Sequence, residues 1–255
     1  MAIKTLRAEL AARGDLEERF RNEAITASRL RDDRIPQIYD IDRLAEGTQY
    51  IVMEYLEGED LEVRLRAGPV ELGYAARVMF EVLDVLGRVH QLGIVHRDIK
   101  PSNIFLARST LLGEVPKLLD FGIAHLARDG AVGAGMLGTP MYMAPEQLSV
   151  GRALGPATDV FAAALVLYEM LAGPHRPRTA EGTDAYHHAL RTGQTARPLN
   201  ALVPVPIGFS EALERGLRIE PGERFRRAED FAVAIEPYAM DRAAFHELRR
   251  SATVG

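Results

Sequence analysis

Three short segments, met in a fixed order, constrain this chain more than any bulk property. They are His96-Arg97-Asp98-Ile99-Lys100-Pro101-Ser102-Asn103, then Asp120-Phe121-Gly122, then Ala144-Pro145-Glu146. Taken singly, Asp98 reads as a loop carboxylate in a turn and Asp120 as a strand-end cap. Three ordered segments, each in a suitable local context, are hard to obtain by chance, and together they favour a catalytic reading. The pattern around them is mixed. A short strand is expected over Met1–Leu6, followed by a helix from Leu16 to Arg31 with Asp15 as its cap and Leu16, Phe20, Ala24, Ala27 and Leu30 on one face. Strands are expected near Gln37–Leu44 and Gln49–Tyr55, joined by a turn at Glu46-Gly47. After Gly58 the chain reads as mostly helical, with a long helix from Leu72 that stops at Gly93, strand-like pieces near Ile104–Leu106 and Val115–Leu119, and helices at about 157–172, 183–192, 209–217 and 228–236. A small strand-rich lobe thus precedes a larger helical lobe, with a cleft between them.

Composition narrows the chemistry. The 255 residues carry a formal net charge of −5, which argues against nucleic acid as the main partner because phosphate backbones call for clustered Lys and Arg. Cysteine is absent, which excludes disulfides, thiolate zinc sites and Cys nucleophiles and suits a cytoplasmic location. The longest apolar run, Val160–Ala172, is interrupted by Glu169 and is too short to span a bilayer, so it reads as a buried core helix.

Through the three segments the chain resembles the eukaryotic-type Ser/Thr protein kinase family, over Met1 to roughly Pro237. The run Met143-Ala144-Pro145-Glu146-Gln147 is in the style of its bacterial members. The resemblance implies a two-lobed α+β fold with a reduced N-terminal sheet, ATP and Mg²⁺ (with Mn²⁺ possible) as cofactors, and a protein bearing Ser or Thr as substrate. It implies that Asp98 handles the proton of the substrate hydroxyl, that Lys100 reaches the transferring phosphate, and that Asn103 and Asp120 ligate the metal. Hard oxygen ligands of this kind suit Mg²⁺. Ala2-Ile3-Lys4 resembles the end of the family's Val-Ala-Ile-Lys strand, so Lys4 would contact the α- and β-phosphates and pair with Glu23, nineteen residues on. Met53 would gate the back of the adenine pocket, backbone groups of Glu54 and Leu56 would bond adenine, and Ala2 and Phe105 would sandwich it. Asp159 and the pair Glu146–Arg224 match structural residues of the family.

The family's glycine-rich loop lies upstream of its Ala-Ile-Lys strand. The expected division is therefore a partial small lobe and hinge over 1–57, lacking that loop and the first two strands, a large lobe over 58–237, and a helical tail over 238–255. The natural chain is expected to begin upstream of Met1. The alternative function is a non-catalytic binding module, a pseudokinase scaffold. Gly130–Gly135 looks like a phosphate loop but follows Asp120-Phe121-Gly122, so it reads as a flexible activation loop; His187-His188 reads as a solvated helix face. Residues 123–138 contain no Ser, Thr or Tyr. Activation should therefore not depend on phosphate in that segment. Mass spectrometry of an active sample should find none there, and phosphatase treatment should leave activity unchanged. A large loss not traced to Thr139 or Tyr142 would overturn this expectation.

Overall fold

A computed structural model describes residues 1–5, 21, 30, 32–45, 47–110, 113–120, 140–148, 151–173 and 197–239. Glu23 with most of the expected helix over 16–31, Phe121 and Gly122, the segment 123–138, the helix over 183–192 and the tail beyond 239 lie outside these residues. The apolar, β-branched run at Tyr50–Met53 makes a central strand. This is β3 (Gln49–Met53), flanked by β1 (Ala2–Thr5) and β2 (Ile38–Arg43), both antiparallel to it. Ala2 lies opposite Met53 and Lys4 opposite Ile51, while β2 slips register between Ile38 and Asp40. Ile51 is the buried centre of this sheet, packed by Ile38, Ile41 and Met53. The turn expected near Gly47 is present; Gly47 takes φ 91 and its N–H bonds the carbonyl of Leu44.

A second antiparallel sheet joins β4 (Gly58–Asp60), β5 (Ile104–Ser109) and β6 (Gly113–Leu118) in that order. Strand β4 departs from the helical expectation after Gly58. Gly58 takes φ 144, and a Cβ there would stand 2.1 Å from the Leu106 carbonyl oxygen. Only glycine allows this strand to lie against β5. Asp60 then accepts from the N–H of Val63 and starts the short helix α1 (Leu61–Arg66).

The large lobe is built on α2 (Leu72–Gln91) and α3 (Pro156–Ala172). Helix α2 buries one face, including Val78, Val82, Val85, Leu86 and Val89, at the spacing the sequence shows. It ends at Leu92, with Gly93 at φ 75. Helix α3 is apolar all round, and each residue from Thr158 to Ala172 is buried. It is thus the central post of the core, against which α4 (Ile207–Gly216) and α5 (Ala228–Ile235) pack. Among the described residues no helix is long and apolar enough to cross a membrane.

The segment just before β2 is pinned by a buried ion cluster. Arg34, 1% exposed, bonds both oxygens of Asp32 (2.9 and 2.8 Å), the Glu81 carboxylate (2.9 Å) and carbonyl (3.1 Å), and Asp84 (2.6 Å). Its carbonyl accepts from the N–H of Leu118 at 2.7 Å, so one residue grips both α2 and β6. Burial alone would raise the Asp32 carboxyl, but the hydrogen bonds and charge of Arg34, with Arg88 beyond, carry it from 3.8 to about 2. A carboxylate depressed on folding contributes stability above its unfolded pKa and loses it as pH falls toward the folded value. The fold should therefore lose about 2 kcal/mol between about pH 4 and pH 2 on account of this group. Asp32→Asn should flatten that part of the profile in urea denaturation; an unchanged profile would place the acid sensitivity elsewhere.

Candidate active site

The segment 96–103 runs from the end of α2 to the start of β5, and a single carboxylate orders its first half. Asp159, in the first turn of α3, is fully buried. It accepts the N–H of His96 and of Arg97, each at 2.7 Å, and the His90 ring Nε2 lies 2.8 Å away. Three donors and the positive end of a helix dipole satisfy a charge that would be costly to bury alone. The bond network holds Arg97 at φ 68, left-handed for a residue with a Cβ. That conformation costs about 1–2 kcal/mol and persists only under such constraint.

The left-handed turn presents Asp98. Lys100 Nζ donates to Asp98 Oδ2 at 2.7 Å, and Asn103 Nδ2 donates to the same oxygen at 3.0 Å and to the Asp98 carbonyl at 2.8 Å. With its NH₂ turned to Asp98, the Asn103 amide has its Oδ1, a hard oxygen, as the remaining end. The chain around Asp120 is stitched onto this loop. The Leu119 N–H bonds the Asn103 carbonyl at 2.8 Å, and the His96 Nε2–H donates to the Leu119 carbonyl at 2.9 Å. Burial pushes the His96 imidazole below its ordinary value despite the carboxylates of Asp159, Asp98 and Asp120 around it, so the ring is neutral. In that tautomer its Nδ1 accepts from the Asp98 N–H at 3.3 Å. Asp120 itself sits at φ 46, the second left-handed residue with a Cβ among those described.

Lys4 reaches across from β1 and bonds Asp120 Oδ1 at 2.5 Å. Its expected partner Glu23 lies outside the described residues. Met53 ends β3 opposite Ala2, and Glu54 and Leu56 follow in the strip between the sheets. The Glu54 N–H is engaged by the Gln37 carbonyl at 2.8 Å, so its carbonyl is the backbone group available to a ligand. Phe105, half-buried, stands opposite Asp60 and Lys117 on β5. Bonds join Asp98, Lys100 and Asn103, and Lys4 with Asp120, while Ala2 and Met53 pair in the first sheet, Glu54 and Leu56 follow it in the chain and Phe105 lies on the second sheet. Among the described residues no group of three or more His, Cys, Asp or Glu converges as a protein-only metal cage. A donor set of Asn103 and Asp120 fits an ion that completes its shell with phosphate oxygens and water.

Sequence reasoning missed several residues. Lys117 Nζ clasps both oxygens of Glu54 at 2.6 and 2.7 Å, joining the strip to β6. Gln147 touches the catalytic loop from outside its motif, and His90 meets the Asp159 carboxylate that orders that loop. For Lys117 the only available signal was its place three residues before Asp120.

The anchor at Ala144-Pro145-Glu146 is fixed from below. The Glu146 carboxylate, 1% exposed, receives Arg224 Nη1 and Nη2 at 2.8 Å each and the Thr158 hydroxyl at 2.9 Å. Arg224 also donates to the carbonyls of Ala157, Arg218 and Ile219, and its guanidinium lies over the Phe161 ring.

Comparison with known proteins agrees with this geometry. The protein kinase domain model matches residues 1–218. Serine/threonine-protein kinase Pkn1 of Myxococcus xanthus is 34% identical, over 92% of this chain and 34% of its own length. The probable serine/threonine-protein kinase PknB of Bifidobacterium longum is 33% identical, over 93% of this chain and 36% of its own. The tyrosine-protein kinase MasK of Myxococcus xanthus is 36% identical, over 94% and 38%. The chain therefore spans somewhat more than a third of the length of these relatives.

Removing one side of a buried ion pair strands the other charge. Arg224→Leu should lower stability by about 3–5 kcal/mol in urea titration. Adding Glu146→Gln, which removes the stranded charge, should recover part of that loss. A single variant within about 1 kcal/mol of the parent would show that the pair carries little of the fold.

Proposed function

The chain belongs to the protein kinase domain family, and from that premise we propose that it transfers the γ-phosphoryl group of ATP to Ser or Thr hydroxyls of a protein substrate. Members of the family use ATP and a divalent cation; for this chain we propose Mg²⁺, with Mn²⁺ able to replace it. The observation that carries the reading is the bonding of Lys100 and Asn103 onto one oxygen of Asp98, with Asp120 tied alongside through Leu119. Phosphoryl transfer asks for positioned charge more than for covalent chemistry, and this cluster offers it.

In this reading Asp98 orients the substrate hydroxyl and takes its proton. Lys100 stands next to the same carboxylate and meets the negative oxygens of the group in transit. Asn103 Oδ1 and the Asp120 carboxylate hold the cation, which supplies charge neutralisation at the phosphates. Lys4 leaves Asp120 for the α- and β-phosphates, and Glu23 receives it as a partner. The backbone of Glu54 and Leu56 bonds adenine, with Met53 behind the ring and Ala2 and Phe105 on its faces. Residues 1–57 act as the small lobe and hinge, 58–237 as the large lobe, and 238–255 as a tail. An ATP-consuming domain without cysteine suits the cytoplasm, which we take as its compartment.

ATP with Mg²⁺, at a concentration about a hundredfold above Kd, should raise Tm by about 5–10 °C. Phosphoamino-acid analysis of the product should show phosphoserine or phosphothreonine. Asp120→Asn should cut turnover by about a hundredfold or more while leaving the melting temperature of the free protein near that of the parent. Near-normal turnover in that variant would remove Asp120 from the mechanism. Thermal stabilisation by ATP without any transfer would instead mark a scaffold.

A further inference from the structure

We propose that Gln147 is a positioning residue for the transfer step: its carboxamide ties the anchor at 144–146 to the carbonyl of Arg97 and so holds the turn that presents Asp98. The catalytic meaning of this inference rests on the phosphoryl-transfer reading, whereas the tether rests on geometry alone. Gln147 follows the buried Glu146 in the short turn Pro145–Leu148. Its Oε1 accepts the Ala144 N–H at 2.9 Å, and its Nε2 donates to the Arg97 carbonyl at 2.9 Å.

Arg97 is the residue that most needs such a hold. At φ 68 it stays left-handed only if the peptide groups on both sides are constrained. Asp159 grips the two peptides before it, through the N–H groups of His96 and Arg97 at 2.7 Å. The peptide after it is free to turn about the Arg97 ψ bond as far as Asp159 is concerned. On its nitrogen side that peptide has the longer 3.3 Å bond from Asp98 N–H to His96 Nδ1. On its oxygen side it is held by Gln147. A rotation there would swing Asp98, and with it the Lys100 and Asn103 groups bonded to its carboxylate. A carboxamide carries a donor and an acceptor on one rigid plane without titrating, so both bonds suit Gln and are lost with an apolar or ionised side chain. Glu146, clamped by Arg224 and Thr158, makes the other end of the tether immobile.

The test compares the full chain with Gln147→Met and Gln147→Glu, using ATP·Mg²⁺ and a generic Ser/Thr peptide. Gln147→Met keeps the length of the side chain and neither hydrogen bond. Its kcat should fall about tenfold, the worth of one neutral hydrogen bond, with KM for ATP and Tm close to those of the parent. Gln147→Glu supplies a signature that a merely structural residue would not show. When protonated, the introduced carboxyl can donate to the Arg97 carbonyl and accept from Ala144 N–H; when ionised, it sets a negative charge against that carbonyl. Its kcat relative to the parent should therefore fall about tenfold as pH rises through the titration of that carboxyl. Amide hydrogen exchange over 96–100 reads the tether without turnover and should quicken in Gln147→Met. Absence of phosphotransfer from the parent chain would overturn the kinase reading and leave exchange to judge the tether. Unchanged exchange in Gln147→Met would overturn the tether itself. Faster exchange with unchanged kcat, a parallel fall in Tm and activity, or a flat relative pH profile in Gln147→Glu would overturn the positioning role.

Discussion

The large lobe is organised around one buried carboxylate. Asp159 stands at the N-terminal end of the most apolar of the described helices and takes donors from His90 of α2 and from His96 and Arg97 of the loop. Without it, the N–H groups of His96 and Arg97 would lose these bonds, and the left-handed turn at Arg97 would be held only from its carbonyl side, by Gln147. The turn in turn sets where Asp98 points, and the neutral His96 passes the constraint to Leu119 and so to Asp120. A hydrophobic post and a polar loop are thus parts of one arrangement. The core gives Asp159 a fixed address, and Asp159 gives the loop its shape.

Much of this was legible in the sequence because the catalytic loop is local. His96 through Asn103 fold back on themselves, so Asp98, Lys100 and Asn103 meet within eight residues and their types alone suggest what they do. The helices α2 and α3 were readable for a related reason: one has a clear 3.6-residue stripe and the other a nearly unbroken apolar run. What escaped the sequence depends on partners far apart in the chain. Arg34 draws on Glu81 and Asp84, Lys117 on Glu54, and Gln147 on Arg97. Each of these residues, seen alone, is an ordinary polar side chain. Strand β4 escaped for a different reason: three residues at a glycine carry no periodicity, and only the approach of Gly58 to Leu106 shows why the chain is extended there.

The contrast between the two ion networks beside the strip is informative. At Arg34 the cation itself is sealed, with Asp32 and Glu81 buried and Asp84 reaching the surface, whereas Lys117 and Glu54 are both partly open, at 12% and 29% side-chain exposure. Arg64, with Glu59 and Glu114 around α1, is more open still, and it shares the Tyr74 ring with Arg77. The sealed cluster makes the segment 32–36 part of the large lobe's framework, although in the chain it borders the strands of the small one.

That gradient of exposure gives the molecule an unequal response to dissolved salt. Mobile ions screen charges they can approach, over about 8–10 Å at ordinary ionic strength, and leave sealed ones almost untouched. As electrolyte is added, the web at Arg64 weakens first, the clasp of Lys117 on Glu54 next, and the Arg34 cluster hardly at all. The contacts around α1 would therefore loosen first, while the segment at Arg34 stays fastened to α2 and β6. An ionic medium, acting on nothing but surface charge, can in this way weaken the ion pairs around α1 without reaching the buried carboxylate that shapes the loop bearing Asp98.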